Sequence, residues 1–188
     1  PTAIDNLFLA PAHIDLSTAD QELSSAVGGS RRLAVVLDKI AADYDHILID
    51  TPPYLGILTI NALVAAGSVI IPMEAEPYAL DGMDALEKTI EKTRRFLGHE
   101  IDILGILVTK FRRGTTLHGE MLEELRTYWK GKVFDTVIQI NIDVAAAAVD
   151  QLPVVMVKPE CTASQNYIAL ADEVLKREKE QKRDGDEG

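Results

Sequence analysis

Three apolar runs that do not alternate constrain this chain most: ILID at residues 47–50, SVIIP at 68–72 and ILGILV at 103–108. A strand with one wet face carries a polar residue at every second position, because successive side chains point to opposite faces. Runs that are apolar at every position belong to strands covered on both faces. Such strands form a mostly parallel sheet with helices packed on each side, an α/β fold.

The rest of the chain reads as strands and helices in alternation. Strands are expected at residues 6–12 (NLFLAPA), 45–50, 68–74, 103–110 and 132–138. A helix is expected at 31–42, capped by Ser30, with Leu33, Val36, Leu37 and Ile40 on one face. Others are expected at 59–66, 81–97 and 143–150. The helix at 116–130 turns Met121, Leu122, Leu125, Tyr128 and Trp129 inward, and the closing helix at 162–181 turns Ile168, Ala171, Val174 and Leu175 inward. Residues 1–175 are expected to form one domain and 176–188 a polar tail that frays or projects.

Composition removes several function classes. No apolar run approaches the ~20 residues that span a bilayer, and no basic stretch leads into an apolar one as in a signal peptide. Cys161 is the only cysteine, which excludes an internal disulfide and a cysteine-held zinc or iron–sulfur cluster within one chain. A cytoplasmic location fits. Net charge is −11, and the tail balances its acids and bases, so the acidity lies in the body. Nucleic acid would be bound only through a local basic patch such as Arg112 and Arg113.

Asp50 ends an apolar strand, and in open α/β sheets ligands sit beyond the carboxyl ends of strands. A carboxylate there suits Mg²⁺, which takes one or two carboxylates together with substrate phosphates. Pro52 and Pro53 stop the strand and stiffen the following loop. A bare ILID reads more often as a strand ending at a turn; the attached TPP and the run LTINALVAA at 58–66 reverse that preference. Other strand ends carry Glu74 and Glu76, then Thr109 and Lys110, then Gln139 and Ile140. Loops such as the last two can flank a base, and each alone is more often just a loop. His13, His46, His99 and His118 stand apart, without metal-ligand spacing, and read as structural or solvent-exposed. No G-x-x-x-x-G-K-[ST] loop occurs in these residues; Gly28-Gly29 is followed by Ser30-Arg31.

Five ordered segments carry a family resemblance: NLFLAPAHIDL, YDHILIDTPPYLGILTINALVAA, VIIPMEAEPYALDGMDAL, ILGILVTK and KVFDTVIQIN. Together they resemble the ParA/Soj partition ATPases, a branch of the P-loop NTPases that also includes MinD. The likeness runs from Asn6 to about Leu175. It implies a ParA/MinD-type fold lacking the first strand and its phosphate-binding loop, an interior piece whose loss exposes unpaired backbone.

The resemblance implies a function for the complete protein: binding and hydrolysis of Mg-ATP to ADP, nucleotide-dependent homodimerisation, and partition of DNA or positioning of cargo with a ParB-like activator. Carried over by position, Asp50 contacts a Mg²⁺-bound water, and Thr51, Pro52 and Pro53 sense the γ-phosphate. Thr109, Lys110, Gln139 and Ile140 lie around adenine, with Gln139-Ile140 in place of the family's Pro-Arg. Arg112 and Arg113 are the DNA-binding candidates, weakened by Asp143 where the family has Arg. The tail has no apolar face of the kind that MinD-like members lay on a membrane. Two alternatives stay open: a non-catalytic module that binds a partner without nucleotide, and a positioning ATPase for non-DNA cargo.

Overall fold

The apolar runs at 68–74 and 102–109 become neighbouring strands. In the computed structural model, which describes residues 1–52, 54, 56–76, 88, 90, 91, 93–95, 98 and 101–186, strand β1 (Ser68–Glu74) pairs in parallel with β2 (Asp102–Thr109). A register shift between Val69 and Ile70 places Ile70 opposite Gly105. The segment 132–140 runs alongside β2 in the same direction. Its ladder is partial: the Phe134 amide donates to the Ile106 carbonyl (2.9 Å), and the Ile138 amide to the Val108 carbonyl (2.9 Å). The strand expected at 132–138 is thus a bridged edge rather than a full ladder.

Both faces of this sheet are covered, as its unbroken apolar pattern requires. One face packs Ile71, Ile106 and Val108 against Leu122, Leu125 and Trp129 of helix α4 (Thr116–Tyr128) and the residue that follows it. The other packs Leu104, Leu107, Phe134 and Ile138 against Leu170 and Val174 of helix α7 (Thr162–Asp186). Between them lie α5 (Ile142–Val149) and α6 (Val154–Val157). Tyr128, expected inside, is 51% exposed. Of the helix expected at 81–97, residues 88, 90, 91 and 93–95 are helical, and the remainder lies mostly outside the described residues.

The face of α7 departs from the sequence reading. Its buried stripe runs through Ala163 and Ser164, then Leu170 and Val174, with Asn166, Glu173 and Arg177 on the same side. Of the residues expected inward, Val174 packs on the core, while Ile168, Ala171 and Leu175 are exposed. Four polar residues, Ser164, Asn166, Glu173 and Arg177, sit on the packed face, so a hydrophobic count misplaces it.

The chain divides into two units, Pro1–Gly67 and Ser68–Gly188. The first holds α1 (Leu16–Ser25), α2 (Arg32–Leu37) and α3 (Ile57–Ala65). Helix α2 is shorter than expected, and Ser30 does not cap it. Gly28, at φ 71°, turns the chain into a 3₁₀ turn at Gly29–Arg31, and the capping role passes to Asn61 of α3. The Leu33 amide donates to Asn61 Oδ1 (3.1 Å), while Asn61 Nδ2 donates to the carbonyls of Gly29 (2.8 Å) and Ile57 (2.9 Å). A Cβ on Gly29 would lie 1.9 Å from the Leu23 carbonyl oxygen, so the turn demands glycine there.

Residues 6–12 and 45–50 do not form the expected strands. Among the described residues no ladder partner flanks either one, and Leu9 and Leu48 are 71% and 90% exposed. A strand gains its stability from neighbours on its edges; without them its apolar sequence alone does not hold it extended in a sheet.

Candidate functional site

The expected site residues fall in both units. In the first, Asp50 and Thr51 are exposed and Pro52 is half-buried; Pro53 lies outside the described residues. Among the described residues, nothing forms an ion pair or a side-chain hydrogen bond with the Asp50 carboxylate. The chain beyond is held in two places. Thr59 Oγ1 donates to the Tyr54 carbonyl (2.7 Å), and the Tyr54 hydroxyl donates to Asp20 Oδ2 (3.0 Å). That bond to Asp20, and the charge of Asp20, raise the Tyr54 pKa above its ordinary value. An uncommitted carboxylate beside a stiffened Pro segment has the donor chemistry that Mg²⁺ takes, an oxygen ligand or an acceptor for a metal-bound water.

In the second unit, the strand ends gather Thr109, Lys110, Gln139 and Ile140. Glu74 pairs in register with Thr109, whose Oγ1 donates to the Met73 carbonyl (3.2 Å). Lys110 follows at φ 50°, a left-handed conformation that a non-glycine residue adopts only when its surroundings impose it. Its ammonium pairs with Glu74, and the hydrogen bond and charge of that carboxylate hold the Lys110 pKa above its ordinary value. The turn at Lys110 lets Phe111 bond the neighbouring segment: its amide donates to the Ile138 carbonyl (3.0 Å), and the Ile140 amide donates to the Phe111 carbonyl (3.1 Å). Thr109-Lys110 and Gln139-Ile140, separate in sequence, are adjacent strand ends here.

Several supporting residues escaped the sequence reading. Asn166, in the first turns of α7, accepts at Oδ1 from the Gln139 amide (3.1 Å) and from Gln139 Nε2 (3.4 Å). Asn141 caps α5 by accepting from the Asp143 amide (2.7 Å). His118, read as structural or solvent-exposed, braces the loop that carries Arg112 and Arg113: the Arg112 amide donates to its Nδ1 (3.1 Å), and Phe111 meets its ring edge-on at 5.7 Å. Both arginines are exposed. The one available signal for Asn166 was its place on the stripe 163, 166, 170, 174, spaced as one helix face; a polar residue on that stripe asks what it bonds.

Among the described residues, no group of three His, Cys, Asp or Glu side chains is placed to hold a metal, and no helix is long and apolar enough to cross a membrane. The Cys161 thiol is held below its ordinary pKa, chiefly by its hydrogen bond with the Ser164 side chain (3.3 Å).

Comparison with known proteins bears on both halves. A family model described as an AAA domain matches residues 1–103. The sporulation initiation inhibitor protein Soj of Bacillus subtilis is 37% identical over 173 residues, covering 92% of this chain and 68% of that protein. The chromosome partitioning protein ParA of Myxococcus xanthus is 36% identical over 178 residues, covering 95% and 63%. The chain therefore spans about two thirds of the length of these relatives. Among solved structures, cobyrinic acid a,c-diamide synthase from Mycobacterium smegmatis superposes with a TM-score of 0.73 at 28% identity, covering 88% of this chain and 60% of that one. The same enzyme with bound ADP and magnesium matches at 31% identity and a TM-score of 0.64, covering 75% and 58%.

Proposed function

Because the chain belongs to the ParA/Soj family of P-loop NTPases, we propose that it is the C-terminal part of an ATPase that partitions DNA or positions cargo. The observation that carries this reading is the cluster at the carboxyl ends of the parallel strands, where Thr109-Lys110 and Gln139-Ile140 stand side by side. Ligands of open α/β sheets bind at that edge. The phosphate-cradling loop comes from sequence outside these 188 residues.

Each half carries its own chemistry. Asp50 would hold a water on Mg²⁺ by accepting its hydrogen bond, and Thr51 with the proline pair would follow the γ-phosphate. When bound, the metal neutralises charge on the phosphates. Thr109, Lys110, Gln139 and Ile140 would line the base. Lys110 pairs with Glu74 on the base side. The complete protein dimerises with nucleotide and answers to a basic activator of the ParB kind, for which a body of net charge −11 is an electrostatic match.

Asp50→Asn in the full-length protein tests the assignment. ATP binding by calorimetry stays near wild type, while turnover falls by about a hundredfold, the scale that loss of one positioning group produces. Unchanged turnover would remove Asp50 from the site. Absence of Mg-ATP binding by the full-length wild type would favour the non-catalytic module.

A further inference from the structure

Tyr54 and Asp20 belong to separate elements, the segment after Asp50 and helix α1, and meet side chain to side chain. The Tyr54 hydroxyl donates to Asp20 Oδ2 (3.0 Å). Asp20 Oδ1 is buried and has no hydrogen-bond partner. A buried carboxylate oxygen without a donor costs free energy. Helix α1 keeps an acid there despite that cost, and the oxygen put to use is the one on Tyr54. Gly56 makes room for the contact. Its backbone is extended (φ −93°, ψ −178°), so its conformation does not call for glycine. Space does: a Cβ would lie 2.5 Å from Tyr54 Cε2 and 3.3 Å from Asp20 Oδ1.

The same turn is tied to α3. The Tyr54 carbonyl accepts from Thr59 Oγ1 (2.7 Å) and from the Gly56 amide (3.0 Å), and the Gly56 carbonyl accepts from the Ile60 amide (3.0 Å). Tyr54 is thus held to α3 by its backbone and to α1 by its hydroxyl. In sequence it follows Asp50 by four residues, and Pro52 and Pro53 lie between them with φ set by their rings. Where Tyr54 stands therefore limits where Asp50 can stand. We propose that Tyr54 and Asp20 are positioning residues for the Asp50 carboxylate: their bond ties the segment at 50–54 to α1 and narrows the positions that Asp50 samples. This deepens the ATPase reading above and rests on it. Neither residue touches the nucleotide in this scheme, so the effect of losing the bond falls on turnover and not on affinity.

The test uses the full-length protein and two readouts. The first needs no nucleotide: phenol absorbance is titrated with alkali. Asp20 raises the Tyr54 pKa by its hydrogen bond and then by its charge. Tyr54→Phe therefore deletes a late-titrating phenol, and Asp20→Ala returns that phenol to the ordinary range. The second readout is ATP turnover, with affinity from calorimetry. Tyr54→Phe removes one oxygen and is expected to lower kcat about tenfold, short of the hundredfold that a misplacement of about 1 Å can cost, with affinity within about twofold of wild type. Asp20→Ala gives the same loss, and the double variant loses no more than either single one, as expected of groups that act as a pair. Asp20→Asn keeps an acceptor for the hydroxyl and brings kcat back to within about threefold of wild type. Gly56→Ala displaces the ring without altering either partner; it lowers kcat and makes the phenol titrate early. A merely structural role would lower Tm and affinity together, and the two single losses would add. If the late phenol is present and its removal leaves kcat unchanged, the pair positions nothing while the ATPase reading stands. If no phenol titrates late, the bond is absent and the proposal falls alone. If wild type neither binds nor hydrolyses Mg-ATP, both readings fall.

Discussion

Arg177 is the residue whose removal the structure prices most clearly. From α7 its Nη1 donates to the carbonyls of Leu104 (3.2 Å) and Lys132 (3.2 Å), and Nη2 donates to the carbonyl of Val133 (2.8 Å). Nε and Nη2 reach Glu173 at 3.2 and 2.9 Å, and the guanidinium carbon lies 4.2 Å from the Phe134 ring centroid. Glu173 in turn accepts from the Asp135 and Thr136 amides, both at 2.9 Å. The pair thus pins α7 to the irregular edge of the sheet, which joins β2 through isolated bridges rather than a full ladder. The side chains are 16% and 15% exposed. Breaking a fully buried pair costs roughly 3–5 kcal/mol, and this partly wet one belongs at the lower end, about 3 kcal/mol for Arg177→Ala. For a chain of this size, that is a fall in Tm of about 6–12 °C. Arg177→Lys keeps charge but loses the fork, and recovers less than half of it.

Hydrogen exchange gives the local readout: the Phe134 amide, bonded to Ile106, loses protection in step with the Tm. The pH response follows from Glu173. Burial by itself raises its pKa, but the Thr136 and Asp135 amides and Arg177 outweigh burial and leave it below the ordinary value. A depressed folded pKa means the stabilisation is present above the unfolded value and lost as pH falls through the folded one. Wild type therefore loses stability in that acidic window, and Glu173→Gln flattens the loss. A Tm change below about 2 °C for Arg177→Ala, less than 1 kcal/mol, refutes the staple.

Gly105→Ala places a Cβ 2.4 Å from Phe134 Cε2 and 2.9 Å from Arg177 Nη1, and denaturant unfolding should show a loss of about 1–3 kcal/mol. Gly119→Ala in α4 meets nothing within 4 Å, and should instead gain about 0.5–1 kcal/mol by helix propensity. Asn61→Leu leaves the Gly29 and Ile57 carbonyls and the Leu33 amide without their partner; a loss of about 1–3 kcal/mol, read by hydrogen exchange at Leu33, is expected. If the full-length protein binds DNA through the exposed loop, replacing Arg112 and Arg113 with Ala lowers the slope of log K against log salt by about 1.8, at 0.9 per phosphate. An unchanged slope assigns DNA binding elsewhere.

The sheet was legible because its signal is strong and local. Strands β1 and β2 were expected at 68–74 and 103–110 and lie at Ser68–Glu74 and Asp102–Thr109. A strand buried on both faces has no choice of composition, so the sequence at those positions carries the answer. The strands expected at 6–12 and 45–50 also rested on apolar residues, and they did not form. The difference is external to those segments: β1 and β2 have each other, and residues 6–12 and 45–50 have no ladder partner among the described residues. Apolar sequence states that a strand can be buried, not that a neighbour is there to bury it.

The same distinction separates the site residues from what orients them. Thr109, Lys110, Gln139 and Ile140 stand at strand ends, and a strand end can be read from where an apolar run stops. What holds them cannot, because Glu74 comes from the adjoining strand and Asn166 from a helix 27 residues beyond Gln139. Both holders are polar residues, so each looks like solvated surface to a search for periodicity. On α7 the consequence is visible in one helix: Asn166, Glu173 and Arg177 bond backbone that lacks a complete ladder, and by occupying the packed face they shift its apparent phase. Sheet irregularity at 132–140 and polar residues on α7 are thus one fact. An edge with bridges in place of a ladder leaves carbonyls and amides unpaired, and the helix above it supplies a guanidinium, a carboxylate and an amide to meet them.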